Sequence, residues 1–526
     1  MINRILTVGG LTLLSRITGF ARDIVMAAVL GAGPVADAFL VAFRLPNHFR
    51  AIFAEGAFAA AFVPAYARIR TQGGVDAAKL FADRIFTLLL ASQIVLLALA
   101  LLFTPAVISL LAPGFGNDPT RFNLAVALTR ITFPYLLLMT LVTLYSGILN
   151  SIGKFATAAA APVLLNLTMV TTLLIAAFFP TAGHAAAWGV LIAGVLEVLL
   201  VGGATLRADV MTTLRRPWPD GEVKRFFKAL GPATVGSAGV QLALFADTII
   251  ASFLAAGALS ALYYADRLYQ LPGGVIGIAV GTVLLPEMAR RIAAGDENGA
   301  RVAQERAIEF TLLLAIPCVA AFLVVPDLIM RALFMRGKFT ADDANAAAMT
   351  LAAYTAGLIP FVLMRSFTSP FLARGDTATP VKAALAAASV NIAFKIAFLY
   401  FTTLSQVGLA LATSIGTWIN FGLIVWFGLR AGFISFDAAF KRAVGKLVAA
   451  GLLLTGALWI AQSPILAITA GLPHFHNVVA LLVLALIGTL VYGAAIMGLL
   501  GKRWLAAFSV SPRMATPRAS VPPEQG

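Results

Sequence analysis

Charged side chains stand inside long apolar stretches of this sequence, where a charge is costly to keep. The first such stretch is interrupted by Ser15-Arg-Ile-Thr-Gly-Phe-Ala-Arg-Asp23. On a helix that turns about 100° per residue, Arg16 and Asp23 share nearly one face, about two turns (~10 Å) apart, and Gly19 between them leaves room for a neighbouring group. Arg22 points roughly 120° away from Arg16. An arginine at bilayer depth costs ~2.5–3.5 kcal/mol unless it meets water or a partner, so this run predicts a functional site.

The combination of arginine, acid and proline recurs further along the chain. The second apolar stretch carries four more charged residues, which are Asp37, Arg44, Arg50 and Glu55. Pro46 removes one helical hydrogen bond and disfavours helix at Leu45, so we expect a bend or a break there. Later, Tyr263-Tyr-Ala-Asp-Arg267 joins an arginine to aromatic side chains shortly before Pro272. Broken helices at membrane depth are tolerated where they line a cavity, which favours a binding chamber near these residues.

The balance of arginines and acids indicates the charge of the ligand. The arginines of these stretches are Arg16, Arg22, Arg44, Arg50 and Arg267, and the acids are Asp23, Asp37, Glu55 and Asp266. Guanidinium groups offer paired donors to a phosphate, whereas a cavity for organic cations would concentrate unpaired carboxylates. We therefore expect an anion, a phosphate or a pyrophosphate. The competing interpretation is that the charges are salt bridges that hold the helices together.

Other chemistries find little support in the sequence. The run from Gly147 to Lys154 lacks the spacing of a phosphate-binding P-loop. The four histidines show no metal-ligand spacing, and no Ser-His-Asp arrangement stands out. The sequence therefore predicts no metal site, no cofactor and no enzyme. A gradient or the membrane potential is left to supply the energy.

The elements that must position these charges are membrane-spanning helices. Of the 526 residues, 60% are apolar and 12% are charged, whereas soluble domains carry about 25% charged residues. Windows of about 20 residues give about fourteen apolar spans. Because backbone in lipid must satisfy its own hydrogen bonds, the spans should be helices. The expected fold is an all-α polytopic membrane protein.

The basic residues predict its orientation. The net charge of +15 would suggest nucleic acid in a soluble chain, but cytoplasmic loops of membrane proteins collect lysine and arginine. Loops after the even-numbered spans, together with the termini, hold 24 basic residues, and the opposite loops hold 4. We therefore expect both termini in the cytoplasm, a membrane location and no nucleic-acid partner.

An internal repeat predicts two lobes. Val63-Pro-Ala-Tyr-Ala-Arg68 resembles Leu285-Pro-Glu-Met-Ala-Arg290, and further weak matches follow at an offset of about 223 residues. Such parallel repeats are a transporter architecture with the substrate site between the halves. The expected domains are two six-helix lobes, a pair of carboxyl-terminal helices and a disordered cytoplasmic tail, which are 1–206, 226–429, 443–500 and 505–526.

Seven short runs resemble the MurJ (MviN) family of lipid II flippases, in the multidrug/oligosaccharidyl-lipid/polysaccharide (MOP) exporter superfamily. Beyond residue 400 the resemblance is one of hydropathy. The matching runs are Ser15-Arg-Ile-Thr-Gly-Phe-Ala-Arg-Asp23, Ala36-Asp-Ala-Phe39, Phe43-Arg-Leu-Pro-Asn47, Arg50-Ala-Ile-Phe-Ala-Glu-Gly56, Ala251-Ser-Phe-Leu254, Tyr263-Tyr-Ala-Asp-Arg-Leu268 and Gly337-Lys-Phe-Thr340.

The resemblance implies a function in peptidoglycan synthesis. It implies transfer of lipid II across the bacterial inner membrane by alternating access, with the last two helices sheltering the lipid tail and with contact to cell-wall synthesis proteins. The implied substrate-binding residues are Arg16, Arg22, Asp23, Asp37, Arg44, Arg50, Glu55 and Arg267. Arg44 replaces the lysine common in the family and keeps the charge. Asp247 stands where many relatives have asparagine, so its role is open.

Three alternatives remain at this point. A drug or cation exporter of the same superfamily would depend on Asp37 or Asp247 rather than on the arginines. An integral-membrane enzyme, such as a glycosyltransferase acting on a lipid phosphate, would change its substrate covalently. In a purely structural scaffold, the arginines inside the apolar spans would have no function.

Overall fold

The computed structural model describes residues 2–50, 57–218, 220–472, 475–502 and 504. The described residues form helices joined by turns and loops, and none of them forms a strand. The helices are α1 (Ile2–Leu30), α2 (Pro34–Arg50), α3 (Ala57–Leu102), α4 (Thr104–Leu111), α5 (Pro119–Thr132), α6 (Pro134–Ser151), α7 (Ala156–Leu174), α8 (Ala182–Arg207), α9 (Gly221–Ser252), α10 (Ala258–Pro272), α11 (Ile278–Ala293), α12 (Glu297–Val324), α13 (Pro326–Phe334), α14 (Ala341–Thr355), α15 (Leu358–Ala373), α16 (Ala378–Phe401), α17 (Ser405–Arg430), α18 (Ala438–Thr469) and α19 (His476–Leu499).

These helices have the length and polarity that a bilayer requires. Within the described residues, eleven helical segments are long and apolar enough to cross a membrane. Their outward faces carry large apolar side chains, such as Leu199 at 64% and Ile460 at 70% exposure. Monomeric soluble proteins rarely expose large apolar patches. A surface of this kind therefore indicates contact with lipid. The all-α membrane class is confirmed, while the number of fourteen spans stays a prediction.

Local sequence explains where several helices begin. The carboxylate of Asp118 accepts hydrogen bonds from the Thr120 and Arg121 amides at the start of α5, both at 3.1 Å. Asp220 caps α9 and Asp437 caps α18 in the same way. Such caps satisfy amide groups that have no partner inside the helix.

The predicted break in the second apolar stretch is not found. The helix α2 runs from Pro34 to Arg50 with Pro46 inside it, so Leu45 does not end a helix. Proline removes only one backbone hydrogen bond, and the remaining bonds of the helix carry the chain through. In the stretch after Arg267, a π-helical turn at Gly273–Gly277 follows Pro272.

The chain forms two compact units. The first comprises Met1–Leu268, Ile329–Tyr354 and Ala387–Gly416, and the second comprises Tyr269–Leu328, Thr355–Ala386 and Thr417–Gly526. In the first unit, α7 packs against α1 and α8, α2 against α5, and α3 against α6 and α9. In the second, α12 packs against α11, α15 and α18, and α19 packs against α18. These units follow packing rather than the sequence repeat, so the two lobes stay a prediction.

The Gly337-Lys-Phe-Thr340 run packs against the end of α1 within the first unit. The Lys338 amide donates a hydrogen bond to the Ala28 carbonyl oxygen at 2.8 Å. Gly337 has φ +57° and Gly31 has φ +70°, a left-handed conformation in which a side chain is strained. A Cβ on Gly337 would lie 2.3 Å from the Ala28 oxygen. Both glycines are therefore required by the close approach of two backbones.

We expect Gly337→Ala to destabilise the first unit. The left-handed conformation alone costs a non-glycine residue roughly 1–2 kcal/mol, and the contact with the Ala28 oxygen adds to it. The measurement is the unfolding temperature of the detergent-purified protein. Gly33→Ala is the control, because a Cβ there meets nothing within 4 Å. Equal unfolding temperatures for the two variants would contradict the assignment.

Candidate functional site

Arg22 is held in place inside the first unit. Its side chain is 7% exposed, and its Nη2 lies 2.7 Å from the Asp23 Oδ1. Its Nη1 donates to the Asn166 Oδ1 of α7 at 3.0 Å. The Asn166 amide nitrogen in turn donates to the Ser15 carbonyl oxygen at 3.0 Å. Asn166 faces Gly19, so it occupies the space that the sequence predicts beside that glycine.

The α10 helix brings a second arginine to the same carboxylate. The Tyr263 hydroxyl donates to the Asp23 Oδ1 at 2.9 Å, and the Arg267 Nη2 donates to the Tyr263 oxygen at 2.9 Å. The Arg267 Nε lies 3.3 Å from the Asp23 Oδ2. The Arg267 guanidinium also sits over the Tyr263 ring, 4.8 Å from its centroid. We call Arg22, Asp23, Asn166, Tyr263 and Arg267 the arginine cluster.

Two guanidinium groups of the arginine cluster share the single carboxylate of Asp23, and the neighbouring Asp266 also interacts electrostatically with Arg267. The members of the cluster differ in access: the Arg267 side chain is 37% exposed and that of Asp23 is 4% exposed. Arg22 and Asp23 are thus paired and buried, while part of the Arg267 side chain is exposed and can reach a ligand. Guanidinium donors suit phosphate oxygens, so the arrangement can bind an anion.

Asp37 serves a different purpose in the first unit. It is fully buried at 0% exposure. Its Oδ1 accepts hydrogen bonds from the Ser260 amide at 3.0 Å and from the Ser260 hydroxyl at 2.7 Å. Its Oδ2 accepts from the Gly257 amide at 2.8 Å and lies 3.4 Å from the Arg121 Nη1. Asp37 therefore caps the start of α10, the helix that carries Tyr263 and Arg267.

The remaining predicted residues are placed as follows. Arg16 is exposed on α1 and Arg44 is half-buried on α2, and neither makes a contact described above. Arg50 is the last residue of α2; its side chain lies outside the described residues, and so does the whole of Glu55. The structure thus joins Arg22, Asp23 and Arg267, and it places Asp37 at the helix that supports them.

A family model described as "Lipid II flippase MurJ" matches residues 26–479. The chain belongs to the lipid II flippase MurJ family. A protein of Rhizobium meliloti (strain 1021) described as "Probable lipid II flippase MurJ" is 40% identical over 470 residues, covering 88% of this chain and 86% of the relative. The "Lipid II flippase MurJ" of Burkholderia cenocepacia is 36% identical over 469 residues, covering 87% and 89%. The family predicted from the sequence is confirmed.

Solved structures show the MurJ fold as well. The inward closed conformation of a lipid II flippase MurJ matches with a TM-score of 0.77 at 24% identity, covering 95% of this chain and 99% of that one. An inward-facing multidrug resistance MATE family transporter of the MOP superfamily matches with a TM-score of 0.66 at 17% identity, covering 82% and 95%. The predicted fold class is therefore confirmed.

Sequence reasoning missed three residues that complete the site in this MurJ family member. Asn166 is an amide inside the apolar helix α7, a signal that could have indicated a buried polar partner. Ser260 gives no such signal, because serine is common at helix starts. Arg121 is one of the four basic residues that the sequence assigns to the opposite loops, yet its side chain is 7% exposed beside Asp37.

Asp247 has a partner in the first unit. The Lys395 ammonium of α16 lies 2.5 Å from the Asp247 Oδ1 of α9, and the two side chains are 3% and 35% exposed. A buried lysine without a counter-charge is strongly unfavourable. The Asp247 carboxylate therefore compensates the charge of this lysine.

Proposed function

We propose that this protein moves lipid II from the cytoplasmic to the periplasmic leaflet of the bacterial inner membrane by alternating access. It acts as a transporter and leaves its substrate covalently unchanged. Family membership supports this assignment, since the relatives carry the name lipid II flippase. The observation that carries the mechanism is the partly exposed side chain of Arg267 beside the buried Arg22–Asp23 pair.

In this proposal the arginine cluster receives the diphosphate of the lipid head. Arg267 donates to the phosphate oxygens, and the Arg22–Asp23 pair fixes Tyr263, which in turn orients Arg267. Arg16, Arg44, Arg50 and Glu55 complete the substrate-binding set, and Asp37 supports it through α10. Guanidinium donors suit the oxygens of a diphosphate better than an organic cation, which disfavours the cation-exporter alternative.

The lipid tail is assigned to a groove of the second unit. A cavity of about 620 Å³ lies between α12, α18 and α19, lined almost entirely by apolar side chains such as Pro317, Leu458 and Leu484. Apolar walls of this kind shelter a hydrocarbon chain from water. The groove supports the proposed assignment of residues 443–500 to tail binding, beside lobes at 1–206 and 226–429.

The membrane orientation belongs to the same proposal. The 24-to-4 asymmetry of basic residues between the two sets of loops favours cytoplasmic termini, which puts the tail at 505–526 in the cytoplasm. Lipid II then leaves on the periplasmic side, where contact with cell-wall synthesis proteins would pass it on.

A vesicle experiment tests the proposed function. Lipid II with a labelled head group is placed in the membrane of vesicles with and without the purified protein, at controlled membrane potential. We expect the protein to change the fraction of head groups protected from an external reagent, with the lipid recovered unchanged. Equal protection in both kinds of vesicle would overturn the proposal, and a covalently altered lipid would indicate an enzyme.

A further inference from the structure

The connection between α8 and α9 lies at a membrane boundary of the first unit. It passes over the start of the apolar run 86–102 of α3, which carries no charged residue. The Asp83 carboxylate accepts hydrogen bonds from the Thr213 amide at 2.7 Å and from the Thr213 hydroxyl at 3.0 Å. The Arg215 amide donates to the Thr87 hydroxyl at 3.0 Å. The connection is therefore fixed at the point where α3 enters the bilayer.

The exposed residues of this connection combine apolar and basic groups. Leu214 is 69% exposed and Trp218 is 59% exposed. The Arg215 side chain is 64% exposed, with its Nε 3.9 Å from the Asp83 Oδ2. Arg216 is exposed as well, and its guanidinium lies 5.7 Å from the centroid of the Trp218 ring. Because tryptophan is enriched at the boundary between lipid and water, this composition is typical of an interfacial anchor.

The first two turns of α9 extend the same surface. Val223 at 2% and Phe226 at 1% exposure are buried, and the Phe226 ring packs against phenylalanine rings of α3. The opposite face is exposed and carries Lys224, Phe227 and Lys228. A basic helix face with an aromatic side chain is typical of helices that lie on a membrane surface. We call these three residues, together with Leu214, Arg215, Arg216 and Trp218, the basic surface.

The acids at the start of α9 are engaged by arginines. Asp220 pairs with Arg84, and Glu222 pairs with Arg68, and both of these arginines belong to α3. Glu222 also pairs with Arg225 at 3.1 Å. These carboxylates are therefore compensated within the protein, and the basic surface presents guanidinium and ammonium groups to its surroundings.

We propose that the basic surface binds the head groups of anionic glycerophospholipids in the adjacent leaflet, which is the cytoplasmic one in the proposed orientation. The stretch 207–228 holds six basic and three acidic side chains, and anionic lipids attract basic segments next to a membrane helix. Arg215 and Arg216 contact the lipid phosphates, while Leu214 and Trp218 enter the boundary with the acyl chains. The contacts with α3 hold these groups in place before the lipid binds, which lowers the cost of ordering them.

The fluorescence of Trp218 tests the lipid preference in the full-length protein. The protein is placed in vesicles of equal parts phosphatidylglycerol and phosphatidylcholine, with bromine on the acyl chains of one lipid or the other. Bromine quenches tryptophan only at short range, and the difference between the wild type and Trp218→Phe isolates the contribution of Trp218. We expect brominated phosphatidylglycerol to quench this contribution about twofold more than brominated phosphatidylcholine, with a smaller difference at high salt. No lipid II is present, so the outcome is separate from that of the flippase proposal.

Variants assign the preference to the basic surface. The double variant Arg215→Gln with Arg216→Gln should bring the quenching by the two lipids close to equality, whereas Arg215→Lys with Arg216→Lys keeps the charge and should keep the preference. Arg290→Gln is the matched control, because it removes an arginine of α11 whose side chain is 74% exposed.

Three results would overturn the proposal. The first is equal quenching by the two lipids in the wild type, and the second is an unchanged preference in the double glutamine variant. The third is an absence of quenching by either lipid, which would place the basic surface in water and favour an acidic protein as its partner.

Discussion

Arg267→Ala should abolish the rescue of cells depleted of their own flippase while leaving the amount of folded protein near that of the wild type. Arg267 is partly exposed, and Asp23 keeps its contacts with Arg22 and Tyr263 when the second arginine is removed. Hydrogen bonds to charged groups contribute about 1.5–3 kcal/mol, so binding of the lipid head should weaken by roughly 10- to 150-fold.

Two controls sharpen the Arg267 experiment. Arg267→Lys keeps the charge but loses the planar fork of donors, so we expect intermediate activity. Arg225→Ala removes an arginine whose side chain is 71% exposed and pairs with Glu222, and it should behave as the wild type. Full rescue by Arg267→Ala at normal expression would show that the arginine cluster does not bind the substrate.

Asp37→Ala should act on folding rather than on binding alone. It removes the carboxylate that accepts three hydrogen bonds at the start of α10, and it leaves Arg121 with Asp118 as its remaining carboxylate partner. Each buried donor left without its acceptor costs about 1–3 kcal/mol, and together these losses are a large part of the stability of most proteins. We therefore expect a strong fall in folded protein, read from detergent extraction and from the unfolding temperature.

The comparison with Ser260→Ala separates the two roles of Asp37. The serine variant loses one of the three hydrogen bonds to the same carboxylate, worth about 1.5–3 kcal/mol, and it should be less destabilised than Asp37→Ala. A folded Asp37→Ala protein that has the unfolding temperature of the wild type but does not bind lipid II would instead make Asp37 a direct ligand of the substrate.

The sequence predicts the chemistry of the site better than the contacts that connect its residues. Arg22, Asp23 and Arg267 stand out because charges in apolar spans are costly wherever they fall. What joins them could not be predicted: Asn166 lies 144 residues from Arg22, and Ser260 lies 223 residues from Asp37. Helical periodicity places a residue on a face of its own helix, but it does not say which face of which helix lies opposite.

The sequence also predicts only part of the fold. Hydropathy predicts the membrane helices, because each must be apolar over the thickness of the bilayer. Pro46 is a signal for a break, yet α2 continues through it, since the surrounding helix compensates for one lost hydrogen bond. Arg121 resembles a loop cation by position alone, and only its pairing with Asp37 places it inside the first unit.

The Asp247–Lys395 pair has a consequence for how the chain is made. A lysine at the centre of a helix opposes its release from the translocon by about 2.5–3.5 kcal/mol, and Lys395, six residues before the end of α16, opposes it by less. The aspartate that neutralises it is synthesised 148 residues earlier, so α9 is already in the bilayer when α16 emerges from the ribosome. We therefore infer that α16 enters the lipid next to the Asp247 carboxylate, which is already in place, so that the order of translation contributes to the assembly of the first unit.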